Sequence, residues 1–133
     1  MTLDAATIQR VQTELNSSVI CDTMDSLGYL NQAMDRHIRP LDDSKTLFGP
    51  VRTALIEKVE PGTSRPDNPY ELTINVMDDL NPGDIVVRAC GDIGTAATWG
   101  ELLTAAAMGR GAAGLVTDGQ IRWDDGQTYI ARG

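Results

Sequence analysis

The segment from Asn81 to Thr117 constrains the fold more than any other part of this chain. Asn81-Pro82-Gly83-Asp84 reads as a turn, and Ile85-Val86-Val87-Arg88-Ala89 follows it as a buried-type strand. A stretch rich in small residues, Gly91 to Gly100, reads as a loop. A helix is expected from about Glu101 to Met108, and Ala113 to Thr117 forms the next buried strand. Strand, crossover helix and strand in that order predict a right-handed βαβ unit with parallel strands. Such a unit needs a sheet covered on its faces, so the fold class is α/β.

The rest of the chain is read around this unit. Asp4 can cap a first helix carrying Ile8, Val11 and Leu15 at helical spacing. Asn16, Ser17 and Ser18 offer caps for a second, with Ile20, Met24 and Leu27 on one face and Gly28 placed to stop it in the left-handed conformation. Asn31 to Ser44 reads as an irregular connection. An extended run spans Val51 to Val59, between Gly49-Pro50 and Pro61-Gly62. Asn68-Pro69-Tyr70-Glu71 predicts a helix start, with Asn68 as the cap, Pro69 in the first position and Glu71 bonding back. Leu72, Val76 and Leu80 would continue that helix on one face. A short last strand is expected over Thr128–Ala131. With 133 residues, no repeat and no composition break, the chain reads as one domain over 1–133.

Charge narrows the function. Nineteen acidic against eleven basic residues leave a formal charge of −8, which repels phosphate backbones and argues against nucleic acid as the main partner. No apolar run approaches the ~20 residues of a bilayer span, and the N-terminus lacks a signal-peptide pattern, so a cytoplasmic location is expected and no membrane partner. Cys21 and Cys90 do not make a disulfide framework and are expected reduced in the interior. His37, the single histidine, has no Cys or His near it in sequence, which argues against zinc. No serine lies in a G-x-S-x-G context.

Ligands of parallel sheets gather beyond the carboxyl ends of strands, often at a helix N-terminus. The loop from Gly91 to Gly100 lies there, and the helix after it presents unpaired N–H groups to an anion. A glycine-rich turn of this kind also serves for packing alone. Gly109-Arg110-Gly111-Ala112-Ala113-Gly114 spells a dinucleotide fingerprint, but it follows a helix and precedes a strand, the reverse of what phosphate binding requires. Two strand ends are expected to bring Glu101, Asp118 and Arg122 to one sheet edge. Arg122 there either clamps a substrate carboxylate or pairs with Asp124 or Asp125.

The runs Trp99-Gly100-Glu101-Leu102-Leu103, Gly111-Ala112-Ala113-Gly114-Leu115-Val116-Thr117-Asp118-Gly119 and Ile121-Arg122 resemble the RraA-like family. That family includes class II HMG/CHA (4-hydroxy-4-methyl-2-oxoglutarate and 4-carboxy-4-hydroxy-2-oxoadipate) aldolases and the regulator of ribonuclease E activity. Cys21 to Gly28, Ile38-Arg39-Pro40-Leu41, Phe48-Gly49-Pro50-Val51 and Pro82 to Val87 fall in the same family order, so the resemblance covers nearly the whole chain. It implies an RraA-like swivelling β/β/α domain, assembled as a trimer or hexamer.

It also implies a site. Family aldolases carry an acidic residue, twenty intervening residues, then Arg-Asp, and Glu101 and Arg122 reproduce the first acid and the arginine at that spacing. By resemblance, the backbone of Gly100, Glu101, Leu102 and Leu103, with Arg122, would hold the pyruvyl end of a small 2-oxo acid, and Glu101 would orient water around Mg²⁺ or Mn²⁺. Trp123 stands where the family aspartate ligates the metal; Asp124, one place later, is the candidate ligand here. The implied function is a metal-dependent aldolase or decarboxylase that releases pyruvate from 4-hydroxy-4-methyl-2-oxoglutarate or oxaloacetate. The alternative is a non-catalytic regulator that binds a ribonuclease, which in the family lacks the metal aspartate. The stretch between Arg122 and Ala131 is shorter than is usual in the family, and later family strands are expected to be missing.

Overall fold

Side-chain caps set the first two helices. Asp4 accepts a hydrogen bond from the Thr7 N–H at 2.7 Å and Asn16 one from the Val19 N–H at 3.0 Å, starting α1 (Ala5–Glu14) and α2 (Ser17–Ser26). Gly28, with φ +88°, turns the chain out of α2. The computed structural model describes residues 3–63, 67–93, 96–122 and 128–130.

Pro50 leads into β1 (Val51–Leu55), which ends four residues before the expected Val59. Its partner β2 (Ile85–Ala89) is only five residues long, and the parallel register from Val51↔Ile85 to Leu55↔Ala89 exhausts it. One more bond, from the Ile56 N–H to the Ala89 carbonyl, closes the pairing. β2 also pairs in parallel with β4 (Gly114–Thr117), giving the sheet order β1-β2-β4. Parallel strands joined through a helix, α4 (Glu101–Gly109), agree with the sequence reading.

Further expectations are corrected. The stretch read as loop to Gly100 contains a strand, β3 (Ala97–Gly100), which belongs to a second sheet of order β3-β5-β6, with β5 (Gln120–Arg122) and β6 (Thr128–Ile130). Arg122 is therefore the last residue of its own strand, rather than a loop residue beyond β4. Asn68 does not cap α3 (Glu71–Asp78): its side chain accepts from the Tyr70 N–H, and its carbonyl from the Glu71 N–H, closing a turn before the helix. Leu72 is exposed, whereas Val76 and Leu80, expected on the same face, pack in the core beside Met77, Leu80 from just beyond the helix end.

Residues from both sheets share one core. Val86 of β2, Trp99 of β3 and Ile121 of β5 pack with Met77 and Leu80 at the end of α3 and Ala107 of α4. Gly111, at φ +79°, reverses the chain after α4, and a Cβ there would lie 3.2 Å from the Pro82 Cβ. The refused dinucleotide pattern is thus a helix-to-strand reversal.

Asp84 locks the turn before β2. Nearly all of it is buried, and one carboxylate oxygen accepts from the Asn81 N–H at 2.9 Å and from Arg52 Nε at 3.0 Å. Burial alone would raise its pKa, but the Asn81 N–H and the Arg52 guanidinium outweigh it and hold the pKa below the ordinary carboxylate value. A carboxyl with a depressed folded pKa stabilises the fold above its unfolded pKa, about 3.9, and loses that contribution as pH falls through the folded value. Asp84→Asn is therefore expected to lower the urea midpoint at neutral pH and to weaken its fall below about pH 4. Parallel acid limbs in wild type and variant would refute this role.

Candidate functional site

The second sheet positions the site through its register. Gly100, the last residue of β3, pairs with Arg122, the last residue of β5, so both strand ends deliver their residues to one place. α4 starts directly at Glu101, with Gly100 as its N-cap. A Cβ at Gly100 would lie 3.0 Å from the Arg122 carbonyl oxygen, closer than most real contacts, so the two strands approach through the missing side chain. Gly100 makes no side-chain cap, which leaves the first N–H groups of α4 without a capping side chain and with the partial positive charge of a helix start. Thr104 braces this end, its hydroxyl donating to the Gly100 carbonyl at 3.1 Å and accepting from Trp99 Nε1 at 2.8 Å.

Glu101, Arg122 and the Gly100–Leu103 backbone segment line one cavity of about 890 Å³, completed by Tyr70 and Ile74 of the α3 region and by Arg88 and Trp99. The described residues proposed from sequence are thus brought together, with one exception. Asp118 is not among the lining residues; its carboxylate accepts from the Cys90 N–H at 2.6 Å and the Gly91 N–H at 3.0 Å, holding the turn after β2. Asp124, the candidate metal ligand, lies with Trp123 and Asp125 outside the described residues.

Arg88 is the site residue that the sequence marks only as a charge inside an apolar strand. It lies on the same face of β2 as Val86, is 5% exposed, and its guanidinium carbon sits 5.6 Å from the centroid of the Trp99 ring. Its Nε has no hydrogen-bond partner among the described residues. Burial pushes its pKa down, with the Cys90 thiol opposing the shift.

Other candidates separate from this cavity. A second cavity of about 800 Å³, which Trp99 also borders, is lined by Leu41, Met108, Leu115 and Ile121 among others and by no charged residue, so it offers no acid, base or anion anchor. Cys90 is buried, 3.2 Å from the Thr98 hydroxyl, whereas Cys21 is half-buried and less interior than expected. His37 is exposed and paired with Asp35 at 2.7 Å. Among the described residues no group of three or more His, Cys, Asp or Glu converges on a point. Glu101 is the one carboxylate that lines the cavity, beside the oxygen-bearing Asn68, Thr73 and Thr98, and Mg²⁺ is usually bound through one or two carboxylates with water and substrate oxygens as its other ligands.

Comparison with known proteins agrees with this architecture. The family model described as RraA-like, Aldolase/RraA, matches residues 17–126. Streptomyces coelicolor RraAS2, described as an unusual member of the RNase ES inhibitor RraA protein family, superposes with a TM-score of 0.72 at 22% identity, over 90% of this chain and 56% of that one. A chain from a structure described as novel cellulases from microbes associated with the gut ecosystem gives a TM-score of 0.72 at 21% identity, over 92% of this chain and 53% of that one. The chain thus spans about half the length of either. No curated protein matches the sequence.

Proposed function

The chain belongs to the RraA-like family, and from that premise we propose that it is a metal-dependent aldolase or decarboxylase that cleaves a small 2-oxo acid to release pyruvate in the cytoplasm. One observation carries this reading: Arg122, Glu101 and the open start of α4 line a single cavity. Arg122 holds the substrate carboxylate through its planar fork. Breaking the bond beta to the ketone leaves its electron pair on the pyruvyl fragment as an enolate. The Arg122 guanidinium and the N–H groups at the start of α4 offset that developing charge. Glu101 orients the water that exchanges protons with the fragments. Mg²⁺ or Mn²⁺, with Asp124 as its candidate ligand and Glu101 orienting the water around it, would add Lewis-acid charge stabilisation when bound.

Pyruvate formation from 4-hydroxy-4-methyl-2-oxoglutarate or oxaloacetate, followed with a coupled dehydrogenase, is expected to require added Mg²⁺ or Mn²⁺ and to fall on chelation. No pyruvate from either substrate would sink the catalytic reading. A second reading, a non-catalytic regulator that masks a ribonuclease, is favoured by Trp123 in the place of the family's metal aspartate and by the inhibitor family of one structural neighbour. Absence of turnover together with capture of ribonuclease E would establish it instead.

Assembly into a trimer or hexamer is part of the proposal. No helix of the described residues is long and apolar enough to cross a membrane, yet Leu27, Leu30, Leu41, Leu55 and Leu102 are each at least 66% exposed. Apolar surface on that scale fits a protein–protein contact. Sedimentation at micromolar concentration should show a species well above the 14.3 kDa of one chain; a monomer alone would reject the assembly.

A further inference from the structure

Two arginines line the cavity, and the proposed function employs one of them. Arg88 enters from β2 in the first sheet, Arg122 from β5 in the second, and Glu101 is the single carboxylate among the lining residues. The charged lining therefore carries a net positive charge on a chain that is strongly acidic elsewhere. Arg88 is 95% buried by its 5% exposure, and among the described residues its Nε bonds to nothing. Among the described residues no carboxylate forms an ion pair with Arg88. Stacking near Trp99 stabilises the cation in part, but a ring quadrupole offers no acceptor for its N–H donors. A buried guanidinium stays protonated and calls for an anion.

We propose that Arg88 is a second anion anchor of this cavity, which takes the distal carboxylate of a 2-oxo dicarboxylic acid whose pyruvyl end Arg122 holds. The assignment of the pyruvyl end rests on the proposed function; the assignment of Arg88 to an anion rests on its own burial and unpartnered Nε. Arg88 is thereby a specificity-determining residue: it selects dicarboxylate over monocarboxylate substrates of the same chain length. Its place beneath the cavity also explains an arginine in a strand whose neighbours Val86 and Ile85 are core residues.

The test is calorimetric binding of 2-oxoglutarate and 2-oxopentanoate, which share a five-carbon chain and differ by one carboxylate, with Mg²⁺ in every sample. Wild type is expected to bind the dianion roughly tenfold or more tightly, as one charge-assisted contact would give. Arg88→Met should erase that advantage, leave 2-oxopentanoate affinity unchanged and melt no lower than wild type, since it removes an unpaired buried charge. Arg88→Lys should keep part of the advantage and serves where the methionine variant does not fold. A wild-type protein without dianion preference, or a preference that survives in Arg88→Met, overturns the proposal; so does survival of the full preference in Arg88→Lys when the methionine variant does not fold. Arg122→Met separates the two readings. If it binds 2-oxopentanoate like wild type while Arg88→Met loses the dianion advantage, the pyruvyl clamp fails and the Arg88 anchor stands.

Discussion

Replacing Arg122 with alanine is expected to weaken pyruvate and oxalate binding by roughly ten- to a hundredfold, and turnover with it. The guanidinium offers two parallel donors to a carboxylate, and a hydrogen bond to a charged group is commonly worth about 1.5–3 kcal/mol. Arg122→Lys keeps the charge but loses the planar fork, so it should recover only part of the loss. Both variants should fold, because Arg122 is exposed at the end of the three-residue strand β5 and contributes little to the core. Titration of pyruvate and oxalate into the three proteins, with Mg²⁺ present, reads the effect directly. Equal affinities would reduce Arg122 to a surface charge.

The largest loss of stability is expected at Gly49. A Cβ on this residue would lie 2.5 Å from the Gly83 carbonyl oxygen, a distance real Cβ atoms essentially never show. The obstacle is backbone, in the turn that leads into β2, and that turn is held by Asp84 and by the Gly83 N–H bond to the Gly111 carbonyl. Relief therefore requires strands β1 and β2 to separate, and Gly49→Ala is expected to cost about 3 kcal/mol, the upper end for overpacking. For a chain of this length that lowers the melting temperature by roughly 10 °C. Gly114→Ala is the control. Its Cβ would meet the Leu47 Cδ1 at 2.7 Å, but Leu47 is the tip of a flexible, exposed side chain that can swing aside. Equal melting temperatures for the two variants would show that the Gly49 approach relaxes without cost.

Much of this was legible in the residues because it is local. Caps at Asp4 and Asn16, the left-handed Gly28 and the boundaries of β2 and α4 follow from side chains that act on neighbours within a few positions. The wrong direction of the Gly109–Gly114 pattern was equally local, since it needs only the order of helix and strand. The expected order of strands put Glu101 and Arg122 at one sheet edge, and both line the same cavity.

What local pattern could not supply is pairing between distant segments. Ala97–Gly100 is four residues long and becomes a strand only because Gln120–Arg122 lies beside it, and that pairing is set by the tertiary fold. The same pairing aligns Arg122 with Gly100, while Asp118, equally near in sequence, turns back to bind the Cys90 and Gly91 N–H groups. Arg88 is the sharpest case. In sequence it is one charge in a β-strand, and strand alternation alone would allow it a solvent face. Its face is the one it shares with Val86, which packs against the second sheet, so the meeting of the two sheets buries the guanidinium beside Trp99. Residue type set the charge; the contact between sheets removed its water, and an ion stripped of water is what makes an anion site.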